Sequence, residues 1–203
     1  MVDYMMSFMC CLSQCPTIRA CSFADSLVSR ARNIAVAGFL KTDAEYLLFW
    51  DADIVAMPQD LAWLCENDHD ILCGIYPKKQ LDLVPVFQTL PGHEATAFGG
   101  IIEVSRSGTG FMRVHRSVFQ SMIDSGSAPV YTNHGEDQWD FFPVGVRDGE
   151  YLSEDWLLCD LARSLGFKVM LDTRIQLRHQ GLATYPIAPA AAPPSPLFIP
   201  KSL

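Results

Sequence analysis

Two aspartates one residue apart, Asp51 and Asp53, close the apolar run Tyr46-Leu47-Leu48-Phe49-Trp50. Five large apolar side chains in succession read as a buried strand. In an open α/β sheet, ligands sit at the carboxyl ends of the strands. A carboxylate pair there can hold a divalent cation, directly or through water, and the cation can hold a diphosphate. The same spacing also ends many ordinary strands, so the pair gains meaning only from its surroundings.

Four further positions could take part. Arg30 and Asn33 are three residues apart and share a helical face, which suits them to a phosphate or a base, whereas Arg32 is expected to point elsewhere. Asp155 lies in the first turn of a helix that opens at Ser153, where the positive end of the helix dipole favours an ionised carboxylate. An ionised carboxylate can accept a proton from a nearby hydroxyl, although capping by the Glu154-Asp155 pair explains the same residues. His179, between Arg178 and Gln180-Gly181, can complete a metal site with Asp53 or serve as a polar loop residue. Gly108-Thr109-Gly110 lacks the spacing of a phosphate loop and reads as a turn.

Composition narrows the classes. The chain has 203 residues, 49% hydrophobic and 19% charged, enough for one globular core. Twenty-three acidic against fifteen basic residues give a formal charge of -8. No basic cluster exceeds Lys78-Lys79, which argues against a nucleic-acid groove. Seven cysteines, four of them at positions 10, 11, 15 and 21, contain no C-x-x-C pair and read as free thiols in a reducing compartment. The apolar N-terminus lacks a basic flank, and no run reaches the length needed to cross a bilayer. A soluble, cytoplasmic protein is the expectation.

The elements that must place these residues follow from periodicity. A short helix is expected over residues 3–15, and Thr17 to Cys21 is a weak candidate strand. A helix over 27–42 carries Leu27, Ala31, Ile34 and Gly38 at helical spacing. Pro58 opens another helix, and Ile71–Ile75 reads as a strand. Residues 82–104 are short β-prone pieces. Strand 111–115, a helix over 117–123 and a long aperiodic connection from 124 to 149 follow. The last helix stops at Gly166, and 168–171 is a final strand. The proline-rich segment 186–203 is expected to be a tail behind a single domain spanning 1–185. The alternation favours a mostly parallel sheet covered by helices.

In order, the stretches Ser26-Leu27-Val28-Ser29-Arg30-Ala31-Arg32-Asn33, Leu48-Phe49-Trp50-Asp51-Ala52-Asp53, Gly108-Thr109-Gly110-Phe111-Met112 and Ser153-Glu154-Asp155-Trp156 with His179 downstream resemble glycosyltransferases of the GT-A fold, of phage, virus and bacterial type. The resemblance implies a Rossmann-like, three-layer domain with a small antiparallel excursion. It implies transfer of a sugar from a nucleoside-diphosphate sugar to an acceptor hydroxyl on a glycan or other molecule, with Mn2+ or Mg2+ held by Asp51, Asp53 and His179. Arg30, Asn33 and the strand-end segment containing Lys78 would contact the donor. Asp155 would deprotonate the acceptor in an inverting displacement. One departure is that the first strand of such domains is missing or truncated here. Two other readings are a non-catalytic nucleotide-sugar or carbohydrate-binding module, and a metal-dependent phosphoesterase using Asp51, Asp53 and His179.

Overall fold

Strand β3 (Ile71–Ile75) is buried at all five positions, and the sheet is built outward from it. The computed structural model describes residues 2–80, 84–92, 99–181 and 184–185. Along the chain run α1 (Val2–Gln14), α2 (Val28–Leu40), β1 (Tyr46–Trp50), β2 (Ile54–Val55), α3 (Pro58–Cys65), β3, β4 (Phe87–Thr89), β5 (Ile101–Ser107), β6 (Phe111–His115) and α4 (Arg116–Asp124). Then come β7 (Val130–Asn133), β8 (Glu136–Trp139), β9 (Gly145–Arg147), β10 (Glu150–Leu152), α5 (Glu154–Ser164), β11 (Val169–Gln176), β12 (Arg178–Gln180) and β13 (Thr184–Tyr185).

The main sheet has the order β1-β6-β3-β11-β5-β4. Only β3 and β11 pair in parallel; the other four pairings are antiparallel. The expected mostly parallel, Rossmann-like GT-A sheet is therefore corrected to a mixed, mostly antiparallel one. The physical reason is the insertion of β6 between β1 and β3. From the turn at Gly108-Thr109-Gly110, β6 enters at the carboxyl ends of β1 and β3 and so runs against both, and its apolar composition suits it to the sheet centre. Because β6 opposes both neighbours, β1, β3 and β11 still run in one direction. Their carboxyl ends and the β5–β6 turn therefore meet at one edge.

One face of the sheet packs against α2, α4 and α5 through Val36, Phe39, Phe119, Met122 and Leu158. The other packs against α1 and α3 through Cys11, Leu61 and Leu64. Alternation along β11 puts Val169 and Leu171 on one face and Met170 on the other, and the irregularity between Asp172 and Gln176 brings Ile175 to the Met170 face. The small sheet β13-β12-β2 lies beside the carboxyl end of β1.

Three local expectations change. The inward stripe of α2 is Arg32, Asn33, Ala35, Val36 and Phe39, not the Leu27–Ala31–Ile34–Gly38 row. Phe39 inserts against Phe119, and that anchor sets the helix's rotation. Residues 17–21 form no strand. The N–H and C=O groups of Tyr46, Leu48 and Trp50 face away from β6 and find no backbone partner among the described residues. The aperiodic 124–149 connection holds two hairpins instead. Each turns through a residue pair with positive φ, His134 (51°) with Gly135 (83°) and Asp148 (50°) with Gly149 (84°), the geometry of two-residue hairpin turns. The proline-rich tail lies outside the described residues.

Candidate functional site

The shared edge is assembled around Tyr76, just beyond β3. Its hydroxyl accepts the Gly110 N–H at 2.9 Å, and the turn before β6 is pressed onto the ring. A Cβ on Gly108 would fall 2.1 Å from the Tyr76 hydroxyl oxygen, so only glycine allows this approach. Burial drives the Tyr76 phenol far above its ordinary pKa, and the nearby charges of Asp51 and Asp155 add to it. The His179 ring meets Tyr76 edge-on at 5.5 Å between centroids. Asp51, Asp155 and His179 thus surround one buried tyrosine.

Each carboxylate at this edge has a partner from the same chain. Arg32, only 8% exposed, reaches from α2 to Asp51 at 3.1 Å and to Glu154 on α5. The Lys79 ammonium lies 2.5 Å from Asp53, and His179 Nε2 lies 3.5 Å from the same oxygen. Burial works to raise the Asp53 pKa, but hydrogen bonds and charge from His179 and Lys79 outweigh it and hold the carboxyl at about 2. His179 Nδ1 donates to the Pro77 carbonyl at 2.7 Å. Asp155 accepts from the Ser153 hydroxyl and from the Trp156 N–H. Ser153 occupies the N-cap position of α5, but its hydroxyl serves Asp155 and makes no capping bond.

The remaining expected site residues lie apart. Arg30 is exposed and bonded twice to Asp25, at 2.7 and 2.8 Å. It lines a shallow groove with Leu27, Val130 and Tyr131, away from Asp51. Asn33 is buried; it donates to Asp140 at 2.9 Å and accepts the Phe141 N–H at 3.0 Å, fastening the chain before the second hairpin to α2. Lys78 is exposed, and its backbone N–H donates to Val84 while the adjacent Lys79 makes the ion pair. Arg32, which the spacing had pointed elsewhere, joins this edge, together with Tyr76 and Lys79 from the strand-end segment around Lys78 and with Glu154, which had been read as a helix cap. Arg32 was discoverable from Phe39, seven residues later on the same helical stripe.

Asp53 and His179 are the two side chains best placed to share a cation. A third ligand does not converge on them. Among the described residues no group of three or more His, Cys, Asp or Glu side chains is arranged to hold a metal ion. Asp51 faces Arg32, and Lys79 occupies the Asp53 oxygen that a cation would need. The three expected ligands thus do not form the donor set that the resemblance implied.

No protein-family model and no curated protein matches the chain. Among solved structures, the fold is similar to that of A197 from STIV, with 18% identity and a TM-score of 0.54 over 85% of this chain and 77% of that one. At that identity the likeness concerns fold alone. The expectation of a GT-A glycosyltransferase is corrected by these findings. The sheet is mostly antiparallel, the D-x-D carboxylates are held by Arg32 and by Lys79 with His179, and no metal cluster forms among the described residues. The enzyme reading, with its manganese or magnesium centre and its pairing of nucleotide-sugar donor with glycan or other hydroxyl acceptor, loses its structural basis. No helix among the described residues is long and apolar enough to cross a membrane.

Proposed function

We propose that the chain is a non-catalytic binding module whose ligand-facing surface is the edge around Tyr76, and that a neutral carbohydrate is the ligand class this surface fits. The observation that carries the reading is the self-pairing of the site. Four carboxylates (Asp51, Asp53, Glu154 and Asp155) face two permanent cations (Arg32 and Lys79), so the acidic groups outnumber the permanent cations by two. An anionic ligand such as a diphosphate would meet that excess at a cost of about 3 kcal/mol per unit charge at about 5 Å and an effective dielectric constant of ~20. A neutral polyol meets no such penalty. Its hydroxyls can donate to the outward oxygens of Asp51 and Asp53, which are 41% and 39% exposed, and accept from Lys79, 40% exposed. Arg32 and Lys79 hold those oxygens in place beforehand, which lowers the ordering cost of binding.

The test is an NMR titration of the whole chain with neutral methyl glycosides, alongside UDP- and GDP-sugars incubated with and without Mn2+. Backbone shifts centred on Asp51, Lys79 and Asp155 are expected with a neutral sugar, weakened by Asp51→Asn, together with no release of nucleoside diphosphate. Absence of shifts with every sugar, or steady release of nucleoside diphosphate, overturns the proposal.

A further inference from the structure

From the packing of α1 against α3 we propose that Cys15 and Cys65 form a redox-modification site, a thiol pair that a small disulfide such as glutathione disulfide converts into a cross-link between the two helices. The site lies apart from the Tyr76 edge and does not depend on what binds there. Ser7 joins the helices at one end: its hydroxyl donates to the Ala56 carbonyl at 2.5 Å and accepts the Ala56 N–H at 3.1 Å. One turn on, the buried Cys11 thiol donates to the same carbonyl at 3.9 Å. Cys11 also feels the charge of Asp60, in the first turn of α3. The helices thus advance side by side in one direction. One further turn on each, about 6 Å of rise, brings Cys15 level with Cys65, the last residue of α3. The faces agree as well. Cys15 is four residues beyond Cys11 and packs on the same apolar cluster, while Cys65 is four beyond Leu61 of that cluster. The charge of Cys15 acts on Cys65 directly.

The pair is asymmetric. Cys65 is exposed and Cys15 half-buried, so Cys65 meets the oxidant and Cys15 resolves the intermediate. The Cys65 thiolate attacks one sulfur of glutathione disulfide and displaces a glutathione thiolate, which takes up a proton. The Cys15 thiolate then attacks the Cys65 sulfur of the mixed disulfide and expels the second glutathione. Two electrons pass from the protein sulfurs to the small disulfide, and the two thiol protons follow them. A buried cation stands beside this chemistry. Arg113 on β6 is 4% exposed, its Nε has no hydrogen-bond partner among the described residues, and one Nη donates to the His69 carbonyl at 3.0 Å. Burial and the Cys15 charge raise the Cys65 pKa; the Arg113 charge opposes them and favours the thiolate that exchange requires. Other thiols are worse placed. Cys73 and Cys159 are enclosed on the opposite face of the sheet, and Cys11 is buried against Ala56. Cys15 and Cys65 both stand at helix ends, where the backbone can adjust to the narrow geometry of a disulfide.

The experiment incubates the dilute full chain with glutathione disulfide at mildly alkaline pH, blocks the remaining thiols, digests without reduction and maps the peptides by mass spectrometry. A Cys15–Cys65 peptide pair, lighter by two hydrogens than its separate parts and reversed by dithiothreitol, is expected. The oxidised chain is expected to melt roughly 5–10 °C higher, because the link closes a long loop in the unfolded chain. Cys15→Ser is expected to leave Cys65 as a lasting glutathione mixed disulfide, and Cys65→Ser to leave Cys15 largely unreacted. The map of the unaltered chain decides the matter even if a variant folds poorly. Glutathione adducts at Cys65 without the cross-link, a link from either sulfur to Cys10 or Cys21, a link between two molecules, or no reaction at either sulfur overturns the proposal.

Discussion

Asp53 and Asp60 lie seven residues apart, and the fold sends their carboxyls in opposite directions. Asp53 sits at the open sheet edge, 39% exposed, with Lys79 and His179 beside it, and is held at about 2. Asp60 lies in the first turn of α3 and is 7% exposed; burial and the charge of fully buried Asp172 push it up to about 6 against the single hydrogen bond from the Met57 N–H. Asp172 is already committed to Arg174, which bonds it through Nε, one Nη and the backbone N–H. What separates the two is the availability of a cation. Where the chain supplies one, a carboxylate becomes a fixed charge; where it does not, burial favours the proton.

The comparison can be broken most severely at Arg32. Arg32→Ala strips the buried cation from Asp51 and Glu154 and is expected to cost about 3 kcal/mol or more, the scale of leaving a buried charge without its partner. Urea denaturation at neutral pH measures it; a loss below about 1 kcal/mol would place the carboxylates in water rather than in the site. Asp60 supplies the next test. Its folded pKa is raised above the ordinary 3.8, so its contribution is fully present below about 3.8 and is lost as pH rises through about 6. Asp60→Asn, which keeps an oxygen for the Met57 N–H, is expected to flatten the stability profile between pH 4 and 6 and to stabilise the chain at pH 8 by about 2 kcal/mol. A lower melting temperature at pH 8 would show that the ionised form is the one the fold prefers. Asp53→Asn should have the smallest effect. A depressed pKa gives stability that is present above about 3.8 and lost as pH falls toward about 2. Solvent screening at this exposed pair limits the loss at neutral pH to under about 1 kcal/mol, and added salt should erase it.

Much of the secondary structure was legible, and the sheet's direction was not. The run Tyr46–Trp50, the proline at the start of α3, the compact strand Ile71–Ile75 and the acidic first turn of α5 each carried a local signal that the fold obeys. Strand direction depends on which segments pair, and nothing in the composition of residues 111–115 says that they lie between β1 and β3. The hairpins did have a signal, His134-Gly135 and Asp148-Gly149, hidden by the irregular hydrophobicity around them. Asp51, Asp53, Asp155 and His179 lie at one edge of the sheet around Tyr76. Arg30 and Asn33 do share a face and line one groove, but away from Asp51; Phe39 fixes the rotation of α2, and it turns Arg32 inward to that carboxylate.

The open flank of β1 has a practical consequence. Tyr46, Leu48 and Trp50 turn their peptide groups away from β6 in an uncharged, proline-free row, while Glu45 and Asp51 stand at its two ends. Self-association by antiparallel registration about Leu48 would set Glu45 of one molecule against Asp51 of the next, twice over. That repulsion guards against ladder growth between copies.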